Sequence, residues 1–87
     1  MELKERFEDA AKRVKSLPTA TPDQLLKLYG LFKQGTEGDV TGKRPGVLDI
    51  KGRAKYDAWS AKKGLSRDKA MEDYVKYVDE LLGRTGG

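Results

Sequence analysis

The sequence predicts an all-α protein of four helices. Apolar residues recur at three- and four-residue spacing in four separate segments. No run of alternating apolar and polar residues exceeds a few positions, so strands find no support. Residues that start and stop helices stand at the edges of those same segments.

The first helix is expected over residues 2–16, with Leu3, Phe7, Ala10, Ala11 and Val14 along one side and charges between them. Glu2 and Glu5 suit the positive end of its dipole, and Lys12, Arg13 and Lys15 the negative end. Pro18 marks the stop. Thr21-Pro22-Asp23-Gln24 opens the second helix: Thr21 at the cap, Pro22 in the first helical position, and Gln24 completing a capping box. That helix is expected to reach about Gln34, with Gly35 as its terminator. Gly30 inside it costs up to about 1 kcal/mol relative to Ala. It reads either as close approach of another helix or a ligand, or as simple tolerance.

Residues 35–48 hold four glycines and a proline and are expected to form a loop. At about 14 residues it is long for so small a domain, and such loops often carry function. Asp49 caps a third helix over residues 50–62, with Ile50, Ala54, Ala58 and Ala61 on one face and Gly64 at its end. Ser66 caps a fourth over 67–82, whose stripe is Ala70, Met71, Tyr74, Val75, Val78, Leu81 and Leu82. The tail Gly83-Arg84-Thr85-Gly86-Gly87 is expected to fray.

Eighty-seven residues predict one domain spanning residues 1–87. Such a chain buries only about 60% of the surface its unfolded form exposes, so its core is small. Cysteine is absent, which removes disulfides and thiolate chemistry, and histidine is absent, which removes the commonest general base and metal ligand. No acid–base pair and no metal-ligand cluster is identifiable, so neither an enzyme nor a metal site is expected. No apolar run approaches the roughly 20 residues that cross a bilayer, and the first residues lack the apolar core of a signal peptide. Both points lead us to expect a soluble cytoplasmic protein with no stable membrane insertion.

The charge is unevenly spread. Residues 29–63 carry eight basic and four acidic side chains, or +4, which equals the net charge of the whole chain; the other residues cancel at ten and ten. Four of the seven aromatic residues (Tyr29, Phe32, Tyr56 and Trp59) lie in the same stretch. A basic segment bearing aromatic rings suggests a site for an anionic ligand with flat or apolar parts; the alternative is a solvated basic face. Tyr29 and Lys33 are four apart on the second helix with Phe32 beside them, and Lys51 and Lys55 are four apart on the third, with Arg53 pointing elsewhere. Ammonium groups with a tyrosine hydroxyl suit a phosphate, and rings suit a purine. Two other readings use the same residues. A nucleic-acid-binding domain is opposed by the modest charge and by Asp49 and Asp57 interrupting the reading helix. A protein-docking module would need an apolar patch that no stripe leaves over.

The segment Leu28–Trp59, LYGLFKQGTEGDVTGKRPGVLDIKGRAKYDAW, resembles the acyl-CoA-binding protein family over 32 residues without a gap. The tyrosine with Phe-Lys-Gln, the Gly-Asp pair, Arg-Pro-Gly, the Lys-Gly-basic-Ala-Lys run and Asp-Ala-Trp match in order and spacing, as do Ala70-Met71 and Tyr74 further on. The resemblance implies a four-helix bundle with a long loop between its second and third helices. It implies a non-catalytic carrier, without cofactor, that binds medium- to long-chain acyl-CoA and exchanges it with acyl-CoA-using enzymes. A monomer that engages no nucleic acid is the corresponding expectation. Tyr29, Lys33 and Lys55 then correspond to the family's contacts with the 3′-phosphate, and Lys51 to a further head-group contact. Lys15 corresponds to the basic residue ending the first helix, and Tyr74 to the tyrosine that closes over the ligand. Leu26, Ala10 and the region of Met71 would line the acyl groove. Phe32 stands where the family more often has tyrosine, keeping a packing surface for adenine without the hydroxyl; Tyr56 stands where it usually has tryptophan, keeping a smaller ring. Trp59 reads as core, and Asp39 as a turn or capping residue.

Overall fold

The sequence places helix caps, and each lies where a side chain can close an open backbone donor. The structure, a computed structural model, describes residues 2–83. Four α-helices and no strand occur among them: α1 Leu3–Arg13, α2 Pro22–Glu37, α3 Ile50–Ser60 and α4 Arg67–Leu81. Thr21 and Gln24 form the capping box in both directions, with Gln24 N donating to Thr21 Oγ1 at 3.1 Å and Thr21 N to Gln24 Oε1 at 2.9 Å. Asp49 accepts from Gly52 N at 3.0 Å, and Ser66 from Lys69 N at 3.0 Å. Each such cap contributes about 1 kcal/mol. The tail from Arg84 onward, where fraying is expected, lies outside the described residues.

The helix ends differ from expectation. The expected last turn of the first helix tightens into a 3₁₀ turn over Val14–Ser16. Pro18 holds Leu17 in extended backbone, and the Ser16 hydroxyl donates to the Arg13 carbonyl at 2.7 Å. α2 runs through Gly35 to Glu37, three residues past Gln34. Gly35 stays helical and buried; a Cβ there would lie 3.1 Å from Phe7 Cζ and 3.2 Å from Met71 Cγ, so its small size seats α1 and α4. The terminator is Gly38, at φ +82°, a left-handed value that other residues avoid. α3 ends at Ser60 rather than 62, and a turn leads to Gly64 at φ +92°. α4 ends one residue before expectation, at Leu81.

Phe7 and Ala10 of α1, Leu28 and Leu31 of α2, and Tyr74 and Val78 of α4 make one buried cluster. α4 packs on both α1 and α2, whereas α3 leans on α2. The expected apolar face of α3 is therefore not a core face: Ile50 at its start is 77% exposed, and Trp59 is the residue it buries. Ile50 joins Val47 and Leu48 in an exposed apolar tip, so an apolar patch does remain over. Gly30 is explained by close approach. A Cβ at that position would sit 2.9 Å from the Ala58 carbonyl carbon, and nearer still to its oxygen, so α2 and α3 touch backbone to backbone there.

The long loop is fixed by side chains. Arg44 grips Asp57 with two hydrogen bonds of 2.9 and 2.6 Å, Arg53 Nε donates to the Pro45 carbonyl at 2.9 Å, and the Tyr56 hydroxyl donates to the Gly42 carbonyl at 3.0 Å. Trp59 Nε1 donates to the Gly38 carbonyl at 2.8 Å. Gln34, fully buried, donates to Asp39 Oδ1 at 2.8 Å and to the Leu65 carbonyl at 2.7 Å, and Gly64 N donates to the same Asp39 oxygen at 2.9 Å. The Gly64 and Gln34 hydrogen bonds hold the Asp39 carboxyl below its ordinary range. Asp39 is thus the turn residue its sequence context suggested.

Candidate ligand-binding site

Positions 29 and 33, and 32 and 36, are four apart, and 29 and 32, and 33 and 36, are three apart, so α2 presents Tyr29, Phe32, Lys33 and Thr36 on one stripe. On one side of it a cleft of about 480 Å³ opens between α1 and α2, walled by Phe7, Ala11, Lys12, Lys15, Phe32 and Thr36, with Tyr74 of α4 beneath. Phe7, Phe32 and Tyr74 form its floor: ring centroids are 5.4 Å apart for Phe7–Phe32, stacked, 5.1 Å for Phe7–Tyr74, edge-on, and 5.8 Å for Phe32–Tyr74. Such pairs contribute about 0.5–1.5 kcal/mol each beyond the area they bury. Burial pushes the Tyr74 phenol above its ordinary pKa. A second cleft of about 430 Å³ shares Phe7, Glu8 and Thr36 and continues past Gly35 to Arg67 and Met71.

The other side of the stripe faces α3. The Lys55 ammonium lies over the Tyr29 ring, 5.6 Å from its centroid, and the Lys33 ammonium lies 4.9 Å from the centroid of Trp59. Ring faces attract these ammoniums while leaving them N–H donors for an anion. Lys33 also pairs with Glu37, one turn on.

The fold therefore brings Lys15, Phe32 and Tyr74 to one cleft, sets Tyr29 against Lys55, and puts Lys33 against Trp59 and Glu37. Lys51 is exposed one turn before Lys55 and makes none of the hydrogen bonds, ion pairs or aromatic contacts found among the described residues. Ala10 is fully buried in the core, and neither it nor Leu26 lines either cleft; Met71 lines the second. Arg44 and Arg53 are spent on the loop. Phe7, Glu8, Ala11, Lys12 and Thr36 are wall residues the sequence reading passed over as site residues. The signal was present: Phe7, Ala11 and Lys15 are spaced by four, which stacks them on one face of the first helix.

A family model described as acyl CoA binding protein matches residues 4–78. The chain belongs to the acyl-CoA-binding protein family. Among curated relatives, acyl-CoA-binding protein homolog 1 of Caenorhabditis elegans is 54% identical over 81 residues, which span 92% of this chain and 94% of the relative. The acyl-CoA-binding protein of Brassica napus is 55% identical over 84 residues, spanning 94% and 90%. Among solved structures, the crystal structure of Oryza sativa acyl-CoA-binding protein 2 superposes with a TM-score of 0.92 at 47% identity, covering 94% of this chain and 92% of that one. The four-helix bundle expected from the resemblance is the observed fold. The acyl-CoA-binding protein family is one of binding proteins, not enzymes.

Proposed function

We propose that this chain is a non-catalytic cytoplasmic carrier of medium- to long-chain acyl-CoA thioesters, acting as a monomeric single domain that trades ligand with acyl-CoA-using enzymes. The observation that carries the reading is the α2 stripe, with ammoniums beside ring faces on one side and an aromatic-floored cleft on the other. Acyl-CoA has the same two halves. Its 3′-phosphate is met by Tyr29, Lys33 and Lys55, with Lys51 and Lys15 as further cations for the head group. Phe32 offers its exposed ring to adenine, and Tyr74 with Phe7 packs against the chain.

The labour divides by physics. Phosphate–ammonium contacts orient the ligand and speed its arrival. Chain burial supplies affinity at about 0.8 kcal/mol per CH₂, so four carbons add about 3 kcal/mol, or two orders of magnitude, until the cleft is filled. Calorimetric titration with free coenzyme A, octanoyl-CoA and palmitoyl-CoA tests this: affinity is expected to climb steeply along the series. A flat series would sink the carrier reading. Lys55→Ala is expected to weaken all three ligands by a common factor, since all share the head; unchanged affinity would remove Lys55 from the site.

A further inference from the structure

A further cavity, of about 280 Å³, lies between α2, α4 and the turn that follows α3, and it shares no residue with either cleft. Lys27 and Leu31 line it from α2. At about 3.6 residues per turn they stand roughly half a turn around the helix from the stripe of Tyr29, Phe32, Lys33 and Thr36.

Three lysines reach the cavity from three elements: Lys27 from α2, Lys62 from the turn and Lys76 from α4. Lys62 is half-buried, its Cγ 3.5 Å from where a Cβ on Gly30 would sit. The Lys27 ammonium lies over the Tyr77 ring, 4.3 Å from its centroid. None of the three makes an ion pair among the described residues. Carboxylates are nearby, but Asp73 is taken by Lys69 at 3.0 Å, and Glu80, one turn beyond Lys76, leaves it unpaired. Positive charge is therefore in excess, with the Glu80 carboxylate beside it.

We infer that this cavity binds a compact phosphorylated polyol, of the size of a sugar phosphate. The phosphate meets the ammoniums of Lys27, Lys62 and Lys76. Hydroxyls donate to the Glu80 carboxylate, and the buried Leu31 gives an apolar floor. A plain anion would meet only repulsion from Glu80. A nucleotide would need a ring to stack on, and Tyr77, the one ring lining the cavity, is covered by Lys27. The volume, near the lower limit of about 300 Å³ for ligand pockets, sets the size. The inference does not rest on the proposed function, since the two faces of α2 are separate.

The test is an NMR titration of the full chain with glucose 6-phosphate and with glycerol 3-phosphate, beside inorganic phosphate and glucose. Both polyol phosphates are expected to shift the backbone amide signals of Leu31, Lys62 and Tyr77, and to bind at least about tenfold more tightly than inorganic phosphate or glucose. Lys62→Met, which keeps the stem and removes the charge, combined with Lys76→Met should weaken both at least about tenfold. Amide signals away from the cavity should stay in place in that variant, showing that the fold is kept. Glu80→Ala should narrow the preference for glucose 6-phosphate over inorganic phosphate. Absence of shifts with both polyol phosphates would overturn the inference, as would equally tight inorganic phosphate or a preference untouched by Glu80→Ala. Shifts centred on Tyr29, Lys33 and Lys55 would overturn it too, by placing the phosphate on the opposite face of α2.

Discussion

Gly30 and Glu37 show how single side chains set what this molecule tolerates. Alanine at position 30 would gain up to about 1 kcal/mol of helix propensity. It would also press a methyl group onto the backbone of Ala58, which can move only if α3 moves, and such overpacking costs about 1–3 kcal/mol. Gly30→Ala is expected to lower the unfolding free energy by about 1–2 kcal/mol, read as a lower urea midpoint at unchanged slope. Gly46→Ala, with nothing within 4 Å of the added atom, should leave it unchanged. The sequence left two meanings open for Gly30, because spacing within one helix says nothing of what crosses it. Glu37 bears on the proposed head-group site. It holds the Lys33 ammonium, so a phosphate must share or displace it. Exposed pairs of this kind are worth about 0.2–1 kcal/mol, and Glu37→Gln is therefore expected to raise affinity for free coenzyme A by up to about fivefold. Affinity left unchanged would take Lys33 out of the head-group site.

At the scale of elements, α3 stands apart. Its neighbour is α2, and the loop that precedes it is tied across its polar face by Arg44–Asp57, Arg53 and Tyr56. The Arg44 guanidinium holds the Asp57 carboxyl below its ordinary value of 3.8, as hydrogen bonds do for Asp39. A depressed carboxyl contributes stability that is fully present above its unfolded pKa and is lost as pH falls through the folded value. The contribution of these two groups is accordingly complete above about pH 4 and fades below it. Asp57→Asn is expected to lower the melting temperature at neutral pH and to shrink the gap between wild type and variant as the solution is acidified toward pH 3; a gap that widened in acid would refute the role given to this carboxyl. Helix starts could be read from sequence because Thr21, Asp49 and Ser66 cap through bonds to residues three positions away. Ends and faces could not. Gly35 sits inside the helix where Phe7 and Met71 leave little room for a side chain, and Ile50 is exposed at the start of α3. Both facts are tertiary, as is the buried Gln34, which pins the loop to the α3–α4 corner.

Across the whole molecule, the Leu28–Trp59 resemblance made the family and its ligand class legible, and the concentration of charge in residues 29–63 pointed to candidate head-group residues. The cleft was not. Its floor joins Phe7, Phe32 and Tyr74 from three helices, and only folding puts them side by side. That floor has a double identity: Phe7 and Tyr74 belong at once to the cleft wall and to the buried cluster. Whatever fills the cleft becomes a further piece of the bundle's interior, so occupancy and folding are thermodynamically linked. Ligand at a hundred times its dissociation constant adds about 2.7 kcal/mol, which for a domain of this size raises the melting temperature by on the order of 10 °C. Palmitoyl-CoA is expected to produce such a rise, and free coenzyme A at the same concentration a far smaller one; equal shifts would mean the chain never reaches the floor. On the proposed function, the empty form is then the one that opens more readily to proteases, and the lifetime of the protein follows the supply of acyl-CoA.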